Sequence, residues 1–426
     1  MPTSEATLNE WLQYLENRPQ QTIQLGLDRI QAVAERLHLL PFNAPVITVA
    51  GTNGKGSTVA GLEAIYTAAG YRVGAYTSPH LLYFNERIRF NQQPISDRLI
   101  CDAFTLIESV RKSIHLTYFE MATLAALLHF KSMQAQVIIL EVGLGGRLDA
   151  TNIVDADVAV ITTIDFDHED YLGHTLEAIG FEKAGILKKS NQTLVYADDN
   201  MPASILQRAS ELQIKTICLN KDYQYALSEK NIEISFLDTL ILPRPNLHPN
   251  AGAAAIVVVE ILRERLPLSC LTLRHAMESV YIAGRQQVIY DTICTVLDVS
   301  HNPQSVKLLA KRMASLIEEK PEARVHAVFS GLKDKNLNGL IEPMSPWVNE
   351  WYSAVLDNPR AASEAMLRDA FSSVCAFTPS FAHTISEAYQ IARSCANPGD
   401  ILVVYGSFYV VSPIMPTVLS HSAKLN

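Results

Sequence analysis

The chain has 426 residues, 48% of them hydrophobic, with 35 Lys+Arg against 44 Asp+Glu and a formal net charge of −9. That length predicts two domains rather than one core. The acidic balance and the lack of any Lys/Arg block argue against nucleic acid or an anionic membrane as the main partner.

An apolar run over 46–50 predicts a buried strand. The loop Gly51-Thr-Asn-Gly-Lys-Gly56 follows. From Ser57 on, Val59, Leu62, Ile65, Tyr66 and Ala69 recur at helical spacing until Gly70. Strand, lysine-bearing glycine loop and helix together make a phosphate cradle. Backbone N–H groups and a helix N-terminus face the anion, and the lysine adds point charge. The chain is therefore expected to bind a nucleotide. The generic P-loop pattern is broken twice. Val49 stands where that pattern asks for glycine, and Gly56 where it asks for the hydroxyl that holds magnesium. The metal must then find its ligands elsewhere. A turn that merely packs tightly is the competing reading.

Further apolar runs at 72–76, 137–142, 156–161 and 193–197 predict strands that alternate with helices. This is the pattern of an α/β fold with a mainly parallel sheet. In such sheets ligands gather at the carboxyl ends of the strands. Residues 220–245 read as a hairpin-rich stretch. The pattern restarts near 290, with strands at 293–299, 324–329, 351–355 and 401–405 and helices at 304–317 and 386–394. The expected architecture is a P-loop domain over 1–288 and a smaller Rossmann-like domain over 289–426.

Polar residues cluster where these strands end. Thr77-Ser-Pro-His-Leu81 follows the second strand, either as a site or as a loop cap. Glu141 closes the run 137–140 in the manner of a magnesium-holding carboxylate. Gly143-Leu-Gly-Gly-Arg-Leu-Asp-Ala-Thr-Asn152 reads as a loop in close approach to something, or as a flexible turn. Ile164-Asp-Phe-Asp-His-Glu-Asp170 suggests metal binding or proton transfer, against a solvated acidic loop. Asp298-Val-Ser-His-Asn-Pro303 and Gly406-Ser-Phe408 end strands of the second domain, either as site residues or as helix caps.

The six cysteines show no CxxC pair and read as reduced, mostly buried thiols of a cytoplasmic protein. Met1-Pro-Thr-Ser-Glu lacks a basic start and an apolar run, so no signal peptide is expected. The apolar stretch 251–262 is too short to span a bilayer.

Taken together, the segments resemble the folylpolyglutamate synthase/dihydrofolate synthase family of the Mur ligase superfamily. The resemblance runs from Leu25-Gly-Leu-Asp-Arg29 to Gly406-Ser-Phe408. Val-Ala-Gly-Thr-Asn-Gly-Lys-Gly-Ser (49–57), Thr-Ser-Pro-His-Leu (77–81), Thr-Tyr-Phe-Glu (117–120) and the run 141–152 carry it. So do Glu-Lys-Ala-Gly-Ile (182–186) and Asp-Val-Ser-His-Asn-Pro (298–303). It implies an ATP-dependent ligase that activates a carboxylate as an acyl phosphate for attack by the amine of L-glutamate. The substrates implied are dihydropteroate and reduced folates. A monofunctional folylpolyglutamate synthase, a Mur ligase acting on a peptidoglycan precursor and a P-loop switch are the alternatives.

By the same resemblance, Thr52, Asn53, Gly54, Lys55, Gly56 and Ser57 hold the ATP phosphates, and Asn250, Arg285 and Asp298 contact the nucleotide between the domains. Ser78, Glu141 and His168 hold magnesium. Lys183 matches a lysine that is carboxylated on its amine and suits a second magnesium. Ile23, Gln24, Leu25, Thr117, Tyr118, Phe119, Glu120, Leu148, Asp149 and Ala150 match the pterin pocket, and His301 and Ser407 the incoming glutamate. Lys55, Lys183 and His301 are the expected catalytic residues. Ser300 replaces a common alanine, with no change of function expected. Gln24 replaces an aspartate of some bifunctional relatives. A monomer is expected.

Overall fold

In the computed structural model the apolar runs become strands of two large sheets. The structure describes residue 2 and residues 5–18, 24–189, 192–375 and 378–423. The chain divides into two units, Met1–Tyr281 and Ile282–Asn426.

The first unit contains β1 (Val46–Ala50), β2 (Val73–Tyr76), β3 (Ile88–Phe90), β4 (Gln93–Pro94), β5 (Val137–Glu141), β6 (Val158–Ile161), β7 (Thr193–Tyr196) and β8 (Lys215–Cys218). They form one sheet in the order β4-β3-β2-β5-β1-β6-β7-β8. All neighbours from β2 to β8 are parallel, and only β3 and β4 pair antiparallel. Both faces are covered. Val137 and Ile139 join a core with Val59, Leu62 and Ile65 of the helix Lys55–Ala68 and Val257 of the helix Pro249–Ile261. Their neighbours Ile138 and Leu140 point to the opposite core, with Phe104, Leu124 and Phe130. A sheet buried on both sides needs apolar residues at every position, which explains the unbroken runs in the sequence. The hairpin-rich stretch forms a separate antiparallel sheet of β9 (Gln224–Leu227), β10 (Asn231–Phe236) and β11 (Asp238–Pro243).

The second unit contains β12 (Gln287–Tyr290), β13 (Cys294–Asp298), β14 (Val325–Phe329), β15 (Glu350–Ser353), β16 (Ser380–Phe381) and β17 (Ile401–Tyr405). Their order is β12-β13-β17-β14-β15-β16, parallel except for the β12–β13 pair. That pairing ties residues 287–290 to the second sheet, so the division falls upstream of residue 288. The core holds Val296, Leu309, Met313, Phe329, Trp351 and Phe371.

The thiols depart from expectation. All six are free, but Cys270 and Cys395 are exposed, Cys218 and Cys375 are partly so, and only Cys101 and Cys294 are buried. Cys270 opens one helix and Cys395 closes another, and helix ends reach solvent. Among the described residues no helix is long and apolar enough to cross a membrane.

Candidate active site at the strand ends

The loop after β1 is braced against the segment that follows β6. The Thr52 N–H donates to the Thr163 carbonyl at 2.7 Å, and the Asn53 N–H to the Thr163 hydroxyl at 3.0 Å. Gly51 has φ +145°, and a Cβ there would lie 1.7 Å from Thr162 Oγ1, so no larger residue fits. Gly54 caps the Lys55–Ala68 helix in the left-handed conformation. The first turn of a helix leaves N–H groups without intrahelical acceptors, and such groups are suited to an anion. Val49 is an interior residue of β1, which accounts for the missing glycine of the generic pattern. The Thr58 hydroxyl donates to the Gly54 carbonyl at 3.1 Å and is thus engaged in the helix start.

Two amines converge on this loop. Lys55 Nζ donates to the carbonyls of Gly51 at 3.0 Å and Thr52 at 3.2 Å. Lys183 Nζ, from the helix Leu176–Ala184, donates to the same Gly51 carbonyl at 2.9 Å. Lys183 is 4% exposed. Burial depresses its pKa to about 7, the charge of Lys55 adds to the effect, and Asp167 and Asp149 oppose it. A lysine poised near neutrality is a chemically competent group.

Glu141, at the end of β5, lies in register with Val49 and is 3% exposed. It accepts the Ser78 N–H at 3.3 Å, so the structure brings the Ser78 and Glu141 positions together. His168 precedes the short helix Glu169–Leu172 at φ 53°, with Nε2 3.9 Å from Asp167 Oδ2. The acidic stretch 164–170 does not collect into a metal cluster. Among the described residues no group of three His, Cys, Asp or Glu side chains is arranged to hold an ion. His80 accepts the Arg87 guanidinium at Nδ1, and burial lowers its pKa to about 4, so it is a neutral brace of the 77–81 loop.

The glycine loop 143–152 is organised by Asp149. One carboxylate oxygen accepts the N–H groups of Gly143 and Leu144, both at 3.0 Å, and the other accepts the Thr151 N–H at 3.0 Å and hydroxyl at 2.6 Å. Burial nonetheless raises its pKa, against those hydrogen bonds. Asn152 donates to the carbonyls of Arg147 and Gly185, and Arg147 pairs with Glu182 at 2.8 Å. These contacts staple the loop to the helix that carries Lys183.

The segments at 24–26, 117–120 and 148–150 also meet. Glu120 closes a capping box with Thr117 and lies 3.2 Å from Arg29, which also donates to the Gln24 carbonyl at 2.8 Å. The Gly26 N–H approaches the Leu148 carbonyl at 3.5 Å. Phe119 packs on Tyr76, and Tyr118 on Phe84. Leu25 is half-buried and Ala150 buried in the same region. Ile23 lies outside the described residues.

In the second unit, β13 pairs with β17, so Asp298 lies opposite Tyr405 and the two loops that follow are neighbours. Asp298 accepts the N–H groups of Gln286 and Ser300, both at 2.7 Å, and the Ser300 hydroxyl. Burial raises its pKa, while these donors and the charge of Arg285 lower it. The His301 ring contacts Phe408 and its Nδ1 lies 2.9 Å from the Val299 carbonyl. Ser407 is 3% exposed, and its hydroxyl has no hydrogen-bond partner. The structure thus gathers Arg285, Asp298, His301 and Ser407. Arg147 and Asn152 belong to the glycine loop and Arg29 to the segment 25–29 already picked out from the sequence, but their bracing role was not legible there, because it depends on Glu182, Gly185 and Glu120 far along the chain.

Two family models match the chain: the Mur ligase middle domain over residues 49–244 and the Mur ligase glutamate ligase domain over residues 284–408. The chain is 39% identical over 424 residues to the dihydrofolate synthase/folylpolyglutamate synthase of Escherichia coli (strain K12), covering 98% of this chain and 97% of that protein. The protein of the same description from Haemophilus influenzae is 38% identical over 431 residues, covering 96% and 97%. E. coli FolC in complex with DHPP and ADP is similar in structure, with a TM-score of 0.93, 38% identity and 99% of each chain covered. A bifunctional folylpolyglutamate synthase/dihydrofolate synthase with Mn, AMPPNP and L-glutamate bound gives a TM-score of 0.90 at 39% identity, covering 98% of this chain and 99% of that one.

Proposed function

The chain belongs to the Mur ligases, in the dihydrofolate synthase/folylpolyglutamate synthase family, and from that premise we propose that it joins L-glutamate to dihydropteroate and to reduced folates with ATP. A substrate carboxylate oxygen attacks the γ-phosphorus of ATP, and ADP leaves. The glutamate amine then attacks the carbonyl carbon of the acyl phosphate, phosphate departs, and the nitrogen loses a proton. A free carboxylate is a poor electrophile, and phosphorylation supplies its leaving group. The protein's part is positioning and charge neutralisation.

The observation that carries this reading is the convergence of Lys55 and Lys183 on the Gly51 carbonyl, beside the buried Glu141. Residues 52–57, Asn250, Arg285 and Asp298 are assigned to the nucleotide, and His301 and Ser407 to glutamate. The segments 23–25, 117–120 and 148–150 are assigned to the pterin end. Asp149 and Glu120 act there through the loop and helix they hold. Ser78, Glu141 and His168 would hold magnesium, and a hydroxyl and a carboxylate are oxygen donors of the kind such a hard cation takes. When bound, the ion neutralises phosphate charge. Lys183 above its pKa of about 7 is a neutral amine able to add carbon dioxide and release a proton. The resulting carbamate is an anion suited to a second magnesium. We take the chain to act in the cytoplasm as a monomer, and its acidic balance weighs against nucleic acid or an anionic membrane as the main partner.

Phosphate release with ATP and L-glutamate tests the assignment, adding dihydropteroate or tetrahydrofolate in turn. Release with both is expected. Release with tetrahydrofolate alone would reduce the protein to a folylpolyglutamate synthase, and stimulation by neither would overturn the ligase.

A further inference from the structure

Asn250 opens the helix Pro249–Ile261 beside the carboxyl end of β7. Its side-chain amide is gripped at both atoms. Nδ2 donates to the Ala197 carbonyl at 2.9 Å, and Oδ1 accepts the Tyr225 hydroxyl at 2.6 Å. A carbonyl only accepts, so Ala197 fixes which end of the amide carries the nitrogen. The Tyr225 hydroxyl, on β9, donates to the oxygen end and braces the amide in the orientation the Ala197 carbonyl has set. Both residues are only half-buried, so the remaining edge of the amide is reachable. That edge presents one N–H and one oxygen lone pair side by side.

We propose that Tyr225 is a positioning residue that locks the Asn250 amide in the orientation that reads adenine, which makes the site selective against guanine. The inference rests on the assignment of Asn250 to the nucleotide. An adjacent donor and acceptor match the N7 acceptor and N6 amino donor of adenine, the pairing asparagine makes with that base elsewhere. Guanine offers two acceptors on the same edge, N7 and O6, and the locked Oδ1 would face O6 with no proton between them. A freely turning amide could reverse itself and accommodate either base. The placement also suits a nucleotide. Ala197 follows β7, two strands from β1 in the sheet order β1-β6-β7. At about 4.8 Å per strand this is roughly 10 Å from the phosphate cradle, a span that a ribose and one phosphate bridge.

The test is calorimetric binding of ADP and GDP to the full chain, in the wild type, Tyr225→Phe and Asn250→Ala, with thermal melting to check the fold. Wild type should prefer ADP. Tyr225→Phe should lower the ADP:GDP preference roughly 3- to 10-fold, the scale of one hydrogen bond. It should also raise the KM for ATP while leaving kcat at saturating ATP unchanged. Asn250→Ala should weaken ADP and remove the preference. An unchanged ADP:GDP ratio in Tyr225→Phe alongside weakened ADP in Asn250→Ala would overturn the positioning role alone. Equal weakening of both nucleotides in Tyr225→Phe would reduce the tyrosine to a structural part and overturn it likewise. Unchanged ADP binding in Asn250→Ala would instead overturn the assignment of Asn250, and the inference with it.

Discussion

At the end of β1, two amines meet on one backbone carbonyl; at the ends of β13 and β17, a buried carboxylate is surrounded by its own donors and a buried hydroxyl is left without one. The first cluster sets the charge of Lys55 beside an amine that burial holds close to neutrality, and the Lys55 charge favours an incoming anion. The second has largely settled its charge internally, through the donors on Asp298. Its unmet demand is the single hydroxyl of Ser407. An unpaired buried hydroxyl costs free energy, on the order of 1–3 kcal/mol. The difference teaches that one cluster is built around charge and the other around a directional hydrogen bond. Substitutions should therefore affect them differently.

The largest effect should come from Lys55→Ala, with turnover lowered by roughly 100-fold or more and the melting temperature nearly unchanged. Steady-state phosphate release with a parallel melt checks it, and near-normal turnover would break the charge-centred account of the first cluster. Next is Asp149→Asn, which turns an amide N–H toward backbone donors. It should cost about 2–4 kcal/mol of stability, measured by denaturant unfolding.

Lys183 allows a pH test. Its folded pKa of about 7 lies below its ordinary value of 10.5. Between those values the unfolded chain binds the extra proton, so this group makes stability rise with pH across the window. The stability of wild type relative to Lys183→Met should therefore climb from pH 7 toward pH 10. A pH-independent difference would contradict the buried-amine picture.

Smaller effects belong to the second cluster. Ser407→Ala should raise the KM for L-glutamate roughly 3- to 10-fold without lowering the melting temperature, because the hydroxyl it removes has no partner to lose. Ser300→Ala removes a donor to Asp298 and should cost only about 0.5–1.5 kcal/mol, with turnover nearly unchanged. If Ser407→Ala destabilised the chain more than Ser300→Ala, the contrast between the clusters would fail.

The strand at 46–50, its glycine loop and the helix beyond were legible because each carries a local pattern: an unbroken apolar run, glycines, then helical spacing. β13, β14, β15 and β17 of the second sheet were legible for the same reason, whereas its edge strands β12 and β16 were not. The antiparallel β3–β4 edge was not, since Gln93–Pro94 is too short and polar to read as a strand. Lys183 entered the site by resemblance. Its bond to Gly51, 132 residues away, follows from the order of strands in the sheet, which no local pattern encodes. Asp149 stood out in its glycine loop, but its role in folding that loop appears only when its four donors are seen together. Tyr225 carried no signal, because it reaches Asn250 through a separate small sheet.

The exposed thiols have a practical consequence. Cys270 lies in the first unit and Cys395 in the second, both free and open to solvent. Each unit thus carries its own native attachment point for a thiol-reactive fluorophore. With Cys218 and Cys375 replaced by serine to quiet their slower labelling, a donor and acceptor dye pair could follow the separation of the units in real time as nucleotide, folate and glutamate are added.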